Sequence, residues 1–236
     1  MKFENALIAG TLVKRYKRFL ADVIIADHGL ITAHCPNTGS MMGCCDAHSP
    51  VWLSRSANAT RKYPHTWEMV QMENGMLVGI NTGITSRLVH EAIDGGVIGE
   101  LQGYIQVQHE VRFGTRNSRV DLLLHGADGD RCYVEIKNVT AAVDHGVAVF
   151  PDAVSSRGTK HLQELMTMVD QGHRAVLCFC VQRDDVSQVR PADAIDPVYG
   201  RTLRAAIGHG VEVIAYCARV TPGDIALYRT VPVVCP

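Results

Sequence analysis

The chain of 236 residues is long enough for one large domain or two small ones, and 47% hydrophobic with 20% charged residues indicates a globular rather than a disordered protein. The formal net charge of −1 excludes a strong overall attraction to nucleic acid, so any such attraction must be local. No apolar run approaches the roughly 18 residues of a membrane span, and the N-terminus does not resemble a signal peptide. We therefore expect a cytoplasmic protein without a membrane partner.

The first 80 residues predict a small β-barrel. Short β-like runs alternate with turn residues, and none has a persuasive helical period. The runs cover residues 19–26, 30–35, 51–56, 66–72 and 76–81. About five strands in a segment of this length are typical of an OB-like barrel, a scaffold that often binds oligonucleotides.

The same segment holds basic and aromatic residues that suit a polynucleotide, because cationic groups contact phosphates and aromatic rings stack on bases. The candidate nucleic-acid-binding residues are Lys14, Arg15, Tyr16, Lys17, Arg18, Arg61 and Lys62. The alternative is a solvated basic face with the rings in the core. Tyr16 lies between charged residues, which favours stacking, whereas Phe19 and Trp67 lie in apolar runs and are expected in the core.

A turn-rich loop follows the second of these runs. Asn37, Thr38, Gly39 and Ser40 either present backbone N–H groups to an anion or form a tight turn that closes the barrel. The sequence favours neither interpretation.

Beyond residue 82 the pattern becomes helical. Leu88, Val89 and Ala92 recur at helical spacing before a Gly-Gly pair, which predicts a helix over 86–94. Glu91 lies in this helix, and we expect its side chain on the solvent-exposed face. A strand over 104–113 is predicted next.

The segment 118–139, which reads SRVDLLLHGADGDRCYVEIKNV, predicts a β-hairpin. Two apolar runs, VDLLL and CYVEI, flank a turn rich in Gly and Asp. Charges inside apolar strands are costly unless they are paired or bind a metal, so Asp121, Glu135 and Lys137 need an explanation. The period of two places Glu135 and Lys137 on one face, and pairing across the turn brings Asp121 to the same end.

Two carboxylates and an ammonium at one point suit a divalent cation and a phosphodiester. Mg²⁺ or Mn²⁺ would take oxygens of Asp121 and Glu135 together with water and phosphate oxygens. Lys137 would orient the attacking water or stabilise the charge that develops. The alternative is a structural ion-pair cluster in a non-catalytic binding or interaction module.

The remaining chain predicts helices alternating with strands. In order, these are a loop-like stretch over 139–149, a helix that begins near Ser156 or Thr159 and ends at Gly172, a strand over 173–182, a helix over 198–208, and strands over 211–220 and 225–234. Antiparallel strands that lead into helix–strand units predict a mixed α/β sheet with helices on its faces.

The start of the helix after residue 155 carries further candidates. Arg157 and Lys160 suit phosphate contacts at a helix N-terminus, the alternative being a solvated turn. His161 is interpreted as a hydrogen-bonded structural residue. Asp152 is either a third acid or a loop cap.

These residues carry a family resemblance. Asp121, thirteen intervening residues and Glu135-Ile136-Lys137 resemble the core motif of the PD-(D/E)XK nuclease superfamily, although Val120 replaces the proline of that motif. The segments 34–41, 61–70, 150–165 and 195–200 resemble the sugar fermentation stimulation protein A family, and the resemblance covers essentially the whole chain. It implies an OB-type barrel, DNA binding and a regulatory link to sugar (maltose) metabolism.

The resemblance to the nuclease superfamily also makes Glu91 a secondary metal candidate, because a carboxylate from the helix before the hairpin can join the metal site there. We therefore predict an α/β (α+β) protein with an OB-like, nucleic-acid-binding barrel at 1–81 and a mixed-sheet PD-(D/E)XK nuclease-like domain at 82–236. DNA is the predicted partner, with RNA as the alternative. The sequence does not specify an oligomeric state.

Overall fold

The computed structural model describes residues 1–114, 118–143 and 146–236. Its helices and strands are, in order, β1 (Ile8–Tyr16), β2 (Leu20–Ile25), β3 (Gly29–His34), β4 (Pro50–Arg55), β5 (His65–Gln71), β6 (Leu77–Gly79), α1 (Thr85–Asp94), β7 (Tyr104–Phe113), β8 (Ser118–Gly126), β9 (Arg131–Val139), β10 (Ala142–Val143), β11 (Val147–Phe150), α2 (Ser156–Asp170), β12 (Arg174–Val181), β13 (Gln188–Pro191), α3 (Pro197–Gly208), β14 (Glu212–Val220) and β15 (Ile225–Thr230). Short 3₁₀ turns at Thr82–Ile84 and Gly99–Leu101 flank α1.

The first six strands form a closed barrel. They lie in the order β3-β2-β1-β4-β5-β6, and a parallel contact between His34 of β3 and Thr66 of β5 closes the sheet on itself. Leu12, Val23 and Trp67 are fully buried in its interior. The predicted OB-like barrel is therefore confirmed, and Trp67 lies in the core as expected.

Two details of the barrel differ from the prediction. β1 is an additional strand, and it lies between β2 and β4. The sequence does not predict this strand because β1 leads into the charged run Lys14 to Arg18 and has a single fully buried residue, Leu12. The prediction of a buried Phe19 is wrong, because this residue lies in the β1–β2 turn and is 45% exposed. An exposed ring therefore lies next to Lys17 and Arg18.

The second domain is a three-layer α/β unit. Its main sheet has the order β15-β14-β12-β9-β8-β7, in which β12 runs parallel to β9 and β14 and the other neighbours are antiparallel. Leu88 and Val89 of α1 pack on one face of this sheet, while Leu162 of α2 and Leu203 of α3 pack on the other. The predicted mixed sheet with helices on its faces is confirmed. Within the described ranges, no helix is both long and apolar enough to span a bilayer.

A small third sheet lies beside the main one, with β11 between β10 and β13. The loop predicted over 139–149 is therefore wrong at 142–143 and 147–149, which belong to β10 and β11. Asp144 and His145, also in that stretch, lie outside the described residues. Such short strands carry little sequence pattern, and β11 depends on pairing with the distant β13.

Gln182, directly after β12, joins the barrel to the second domain. Its carbonyl accepts a hydrogen bond from Gly79 N at 2.8 Å, and its side-chain amide donates to Asn81 O at 3.0 Å and Asn138 Oδ1 at 2.6 Å. A Cβ at residue 79 would lie 2.3 Å from the Gln182 amide oxygen, so any residue other than glycine would displace the Gln182 side chain from this position. The barrel is thereby held against the carboxyl ends of β9 and β12.

Candidate functional site

Asp121 and Glu135 lie where the pairing of β8 and β9 ends. The last paired residues of these antiparallel strands are Leu122 and Val134, and Asp121 and Glu135 follow directly beyond them. Ile136 N donates to Asp121 Oδ2 at 2.6 Å, so this side chain replaces a backbone acceptor of the ladder. The hairpin therefore brings the two carboxylates together.

Glu135 is almost fully buried, at 2% exposure. Its Oε1 accepts hydrogen bonds from Lys137 Nζ, at 2.6 Å, and from His161 Nδ1 of α2. Burial acts to raise the pKa of Glu135, but the hydrogen bond from His161 and the charge and hydrogen bond of Lys137 outweigh it and hold the pKa below its ordinary value. The second oxygen, Oε2, is buried and has no hydrogen-bond partner among the described residues. Glu135 is therefore an ionised carboxylate with one oxygen left for a further cation.

The pKa of Asp121 is shifted in the opposite direction. Burial, and then the charge of Glu135, raise the pKa of Asp121 to about 7, although the Ile136 N–H and the Lys137 ammonium act in the other direction. A second negative charge beside Glu135 is thus unfavourable unless a proton or another cation compensates it. A metal ion would supply that compensation.

The cluster opens into a cleft of about 330 Å³ between the two domains, which we call the acid cleft. Its lining includes Asn37, Thr38 and Gly39 of the barrel loop, Thr85 and Ser86 at the start of α1, Asp121, Lys137 and Asn138 of the main sheet, and Asp152 and Arg157 near the start of α2. Polar residues of both domains therefore line the same cleft.

The barrel loop in the acid cleft is held from two sides. The Arg15 guanidinium donates to four backbone carbonyls at 2.7–3.2 Å. These belong to Arg18, Asn37, Gly39 and Ser40. From the second domain, Asp152 Oδ2 accepts from Met41 N at 2.8 Å and from Ser40 Oγ at 3.2 Å, so Asp152 caps this loop. Arg15, predicted to bind nucleic acid, is thus engaged in shaping the cleft wall.

Glu91 does not join the cluster. It lies on the exposed side of α1, where it pairs with Arg87 at 2.8 Å and with the amino group of Met1 at 2.7 Å. The same helix instead directs Thr85 and Ser86 of its first turn to the acid cleft.

His161 and Arg157 extend the cluster along α2. The buried face of this helix includes His161, Leu162 and Leu165, and it places the imidazole against β9. Arg157 Nε donates to His161 Nε2 at 3.4 Å, which leaves the ring proton on Nδ1, the atom that contacts Glu135. The sequence indicated a hydrogen-bonded histidine but not its partner. The available signal was its position on the apolar face of the helix.

The other predicted basic residues lie on the barrel surface. Lys14 Nζ lies 5.5 Å from the centre of the Tyr16 ring, and Tyr16 donates its hydroxyl proton to Asp22 at 3.0 Å. Lys17 and Arg18 belong to the β1–β2 turn, Arg61 contacts His34 at 3.2 Å, and Lys62 Nζ lies 5.5 Å from the Tyr63 ring centre. Arg15 ties that turn to the acid-cleft loop, so a basic surface adjoins the cleft. Its role in binding stays a prediction.

A divalent cation fits this site through a small set of ligands. Within residues 1–114, 118–143 and 146–236, no group of three or more His, Cys, Asp or Glu side chains is placed to hold a metal ion. Asp121 and Oε2 of Glu135 remain, and one or two carboxylates completed by water are typical of Mg²⁺ sites. The predicted Mg²⁺ or Mn²⁺ would therefore be held by these two residues without Glu91.

Both domains match models of known families. Residues 13–80 match the SfsA N-terminal OB domain, and residues 83–224 match the sugar fermentation stimulation protein RE domain. A sugar fermentation stimulation protein homolog of Thioalkalivibrio sulfidiphilus is 62% identical over 234 residues, which cover 99% of this chain and 98% of the relative. The chain belongs to the SfsA family. The resemblance drawn from the sequence is thereby confirmed.

Other SfsA proteins agree in length and fold. A homolog of Citrifermentans bemidjiense is 58% identical over 233 residues, covering 99% of both chains. The structure of Pyrococcus furiosus SfsA in complex with Ca²⁺ superposes with a TM-score of 0.89 at 24% identity, covering 99% of this chain and 98% of that one. At this identity the comparison establishes a common fold.

Proposed function

We propose that this SfsA protein binds DNA along the barrel and hydrolyses a phosphodiester bond in the acid cleft in a metal-dependent reaction. The observation that carries the proposal is the buried, unpartnered Oε2 of Glu135 beside Asp121. Buried polar atoms are nearly always paired, so a bare oxygen beside a second acid favours a ligand site over a purely structural ion-pair cluster. The Ca²⁺ in the Pyrococcus furiosus complex supports a cation site in the family.

The residues of the cluster have distinct tasks in this reaction. When bound, the divalent cation would neutralise charge on the phosphate and lower the pKa of a bound water. Asp121 and Glu135 would hold the cation. Lys137, which lines the cleft, donates a hydrogen bond to the attacking oxygen or to the oxygen on which charge develops. His161 fixes the orientation of Glu135, and Arg157 holds the phosphate at the edge of the cleft.

The barrel would guide the polynucleotide to the cleft. Its β1–β2 turn presents Lys17, Arg18 and the exposed Phe19 ring, a combination suited to phosphates and bases. Arg15 connects the turn to the loop that lines the acid cleft. Control of sugar (maltose) metabolism, suggested by the family, would be exerted through this binding.

Cleavage assays test the catalytic part of the proposal. Labelled single-stranded, duplex and hairpin DNA and RNA are incubated with wild type, Glu135→Gln and Asp121→Asn in Mg²⁺ or Mn²⁺. We expect each variant to lose activity by at least about a hundredfold, since a ligand of the cation that stabilises charge in the transition state is removed. Glu68→Gln, which alters a buried carboxylate of the barrel, is the matched control. Equal inactivity of wild type and Glu135→Gln on every substrate would exclude catalysis.

Salt-dependent binding tests the DNA-binding part. Lys17→Gln/Arg18→Gln is compared with Arg190→Gln/Arg201→Gln, which neutralises two exposed arginines outside the acid cleft. Each lost phosphate contact should weaken binding and lower the slope of log affinity against log salt by roughly 1. Identical slopes in both double variants would argue against the barrel surface as the DNA site.

A further inference from the structure

A second cleft, of about 430 Å³, lies next to the acid cleft, and Arg157 lines both. We call it the basic cleft. It is lined by Glu110, Arg112, Ser118, Arg119, Arg157, Lys160 and His161. Four cationic side chains against one carboxylate make it locally positive, in a chain whose formal net charge is −1.

Two of its cations face each other in the sheet. Arg112 of β7 and Arg119 of β8 are directly paired across these antiparallel strands. Like charges at opposed positions destabilise a sheet. Neither arginine forms an ion pair with a carboxylate of the described residues. An anion between the two guanidinium groups would turn this repulsion into attraction.

Ser118 provides an independent observation. Its side chain lines the basic cleft, the residue is 4% exposed, and its Oγ has no hydrogen-bond partner among the described residues. Because buried hydroxyl groups are nearly always hydrogen-bonded, a bare one in a cleft wall is available to a ligand atom. A hydroxyl donor among guanidinium groups suits a phosphate oxygen.

The start of α2 completes the positive wall. Arg157 and Lys160 belong to the first turns of this helix of 15 residues, and a helix N-terminus favours anions. Glu110, the carboxylate of the cleft, lies at the end nearest the acid cluster. It stands opposite Asp121 in the β7–β8 ladder, between the pairs His109–Leu122 and Val111–Val120.

We infer that the basic cleft binds a second phosphate of the same polynucleotide strand whose scissile phosphate lies in the acid cleft. Arg157, which lines both clefts, would lie between the two phosphates. This inference rests on the proposed function and adds a second phosphate contact to its DNA substrate. Full affinity then requires a chain with successive phosphates.

The test uses the intact protein and two probes. Inorganic phosphate is titrated against wild type, Arg112→Gln/Arg119→Gln, Ser118→Ala and the control Arg190→Gln/Arg201→Gln, with the melting temperature as readout. A labelled oligonucleotide in Ca²⁺ is then titrated by fluorescence anisotropy at several salt concentrations.

We expect phosphate to raise the melting temperature of wild type and control but not that of Arg112→Gln/Arg119→Gln. For Ser118→Ala we expect a smaller rise than for wild type. The double variant should bind the oligonucleotide at least tenfold more weakly, with a salt slope lower by roughly 2. Its Ca²⁺ affinity should equal that of wild type, because the acid cluster is untouched.

Three results would each contradict one claim: the phosphate site, the passage of the strand through the basic cleft, or the proposed hydrolysis. Unchanged phosphate and oligonucleotide binding in the double variant would overturn the phosphate site. Lost phosphate binding with unchanged oligonucleotide affinity would overturn the passage of the strand through the basic cleft. If Glu135→Gln keeps wild-type cation affinity while the double variant loses oligonucleotide affinity, the proposed hydrolysis fails and the polynucleotide contact stands.

Discussion

Glu68 of the barrel and Glu135 of the second domain are both buried glutamates, and the protein surrounds their carboxylates with different partners. In the barrel, Glu68 is 4% exposed, and both of its oxygens are paired with neutral donors, Ser54 Oγ at 2.6 Å and Asn81 Nδ2 at 2.7 Å. In the second domain, Glu135 has a lysine and a histidine on one oxygen, and its other oxygen has no hydrogen-bond partner among the described residues. Burial dominates at Glu68 and raises its pKa, whereas the partners dominate at Glu135 and lower its pKa.

The difference shows that burial of a carboxylate is not in itself a sign of function. Each carboxylate oxygen of Glu68 accepts a hydrogen bond from a neutral donor, and no second acid is paired with Glu68 in the described parts of the chain. Glu135 is ionised, incompletely paired and adjacent to Asp121. The partners of a buried acid therefore distinguish a structural site from one prepared for a ligand.

The largest effect should come from removing the ammonium beside Glu135. Lys137→Met leaves a buried carboxylate with His161 alone, and breaking a buried ion pair should lower the free energy of unfolding by about 3 kcal/mol in the absence of metal. Urea denaturation with a chelator at pH 7 measures this change. Lys62→Met, at the barrel surface, is the control and should stay close to wild type. A cost no larger than that of the control would mean that Glu135 does not depend on a cation.

Cation binding should distinguish the acid cluster of Asp121 and Glu135 from the structural Glu68, with an effect on stability almost as large as that of Lys137→Met. Ca²⁺ at a hundred times its dissociation constant should stabilise wild type by about 2.7 kcal/mol through mass action. Asp121→Asn should lose this stabilisation, and Glu68→Gln should keep it. Melting curves with and without Ca²⁺ give the comparison. Equal stabilisation of all three proteins would place the cation elsewhere.

Changing Glu68 should have a smaller effect that depends on pH. Its pKa is raised in the folded protein above the ordinary 4.5, so its stabilisation is complete below 4.5 and is lost as the pH rises through the folded pKa. Glu68→Gln should cost about 1 kcal/mol in acid, because one of its hydrogen bonds must rearrange. Relative to wild type it should improve as the pH rises. Unfolding free energies across the pH range test this, and a parallel pair of curves would contradict it.

The smallest effect is expected at Glu91. Its ion pairs with Arg87 and the Met1 amino group lie at the surface, where such pairs contribute less than about 1 kcal/mol. Glu91→Gln should therefore leave the Ca²⁺ affinity unchanged by calorimetric titration. A clear loss of affinity would return Glu91 to the metal site.

The sequence by itself determined the local features of this protein. The period of two and the Gly-Asp turn predicted the hairpin that brings Asp121 near Glu135. The spacing of Leu88, Val89 and Ala92 predicted the helix over 86–94. These inferences succeeded because strand alternation, turn chemistry and helix periodicity act between residues close in the chain.

Only the tertiary structure decided what surrounds the acids. His161 on Glu135, the barrel loop held by Arg15 and Asp152, and the opposed Arg112 and Arg119 depend on contacts and strand registers that no local pattern fixes. The exposure of Phe19 was missed for the same reason, since an aromatic residue next to an apolar run is predicted to be buried unless the position of the turn is known. Burial and charge pairing result from the packing of distant segments, and they decide which polar atoms remain without a partner.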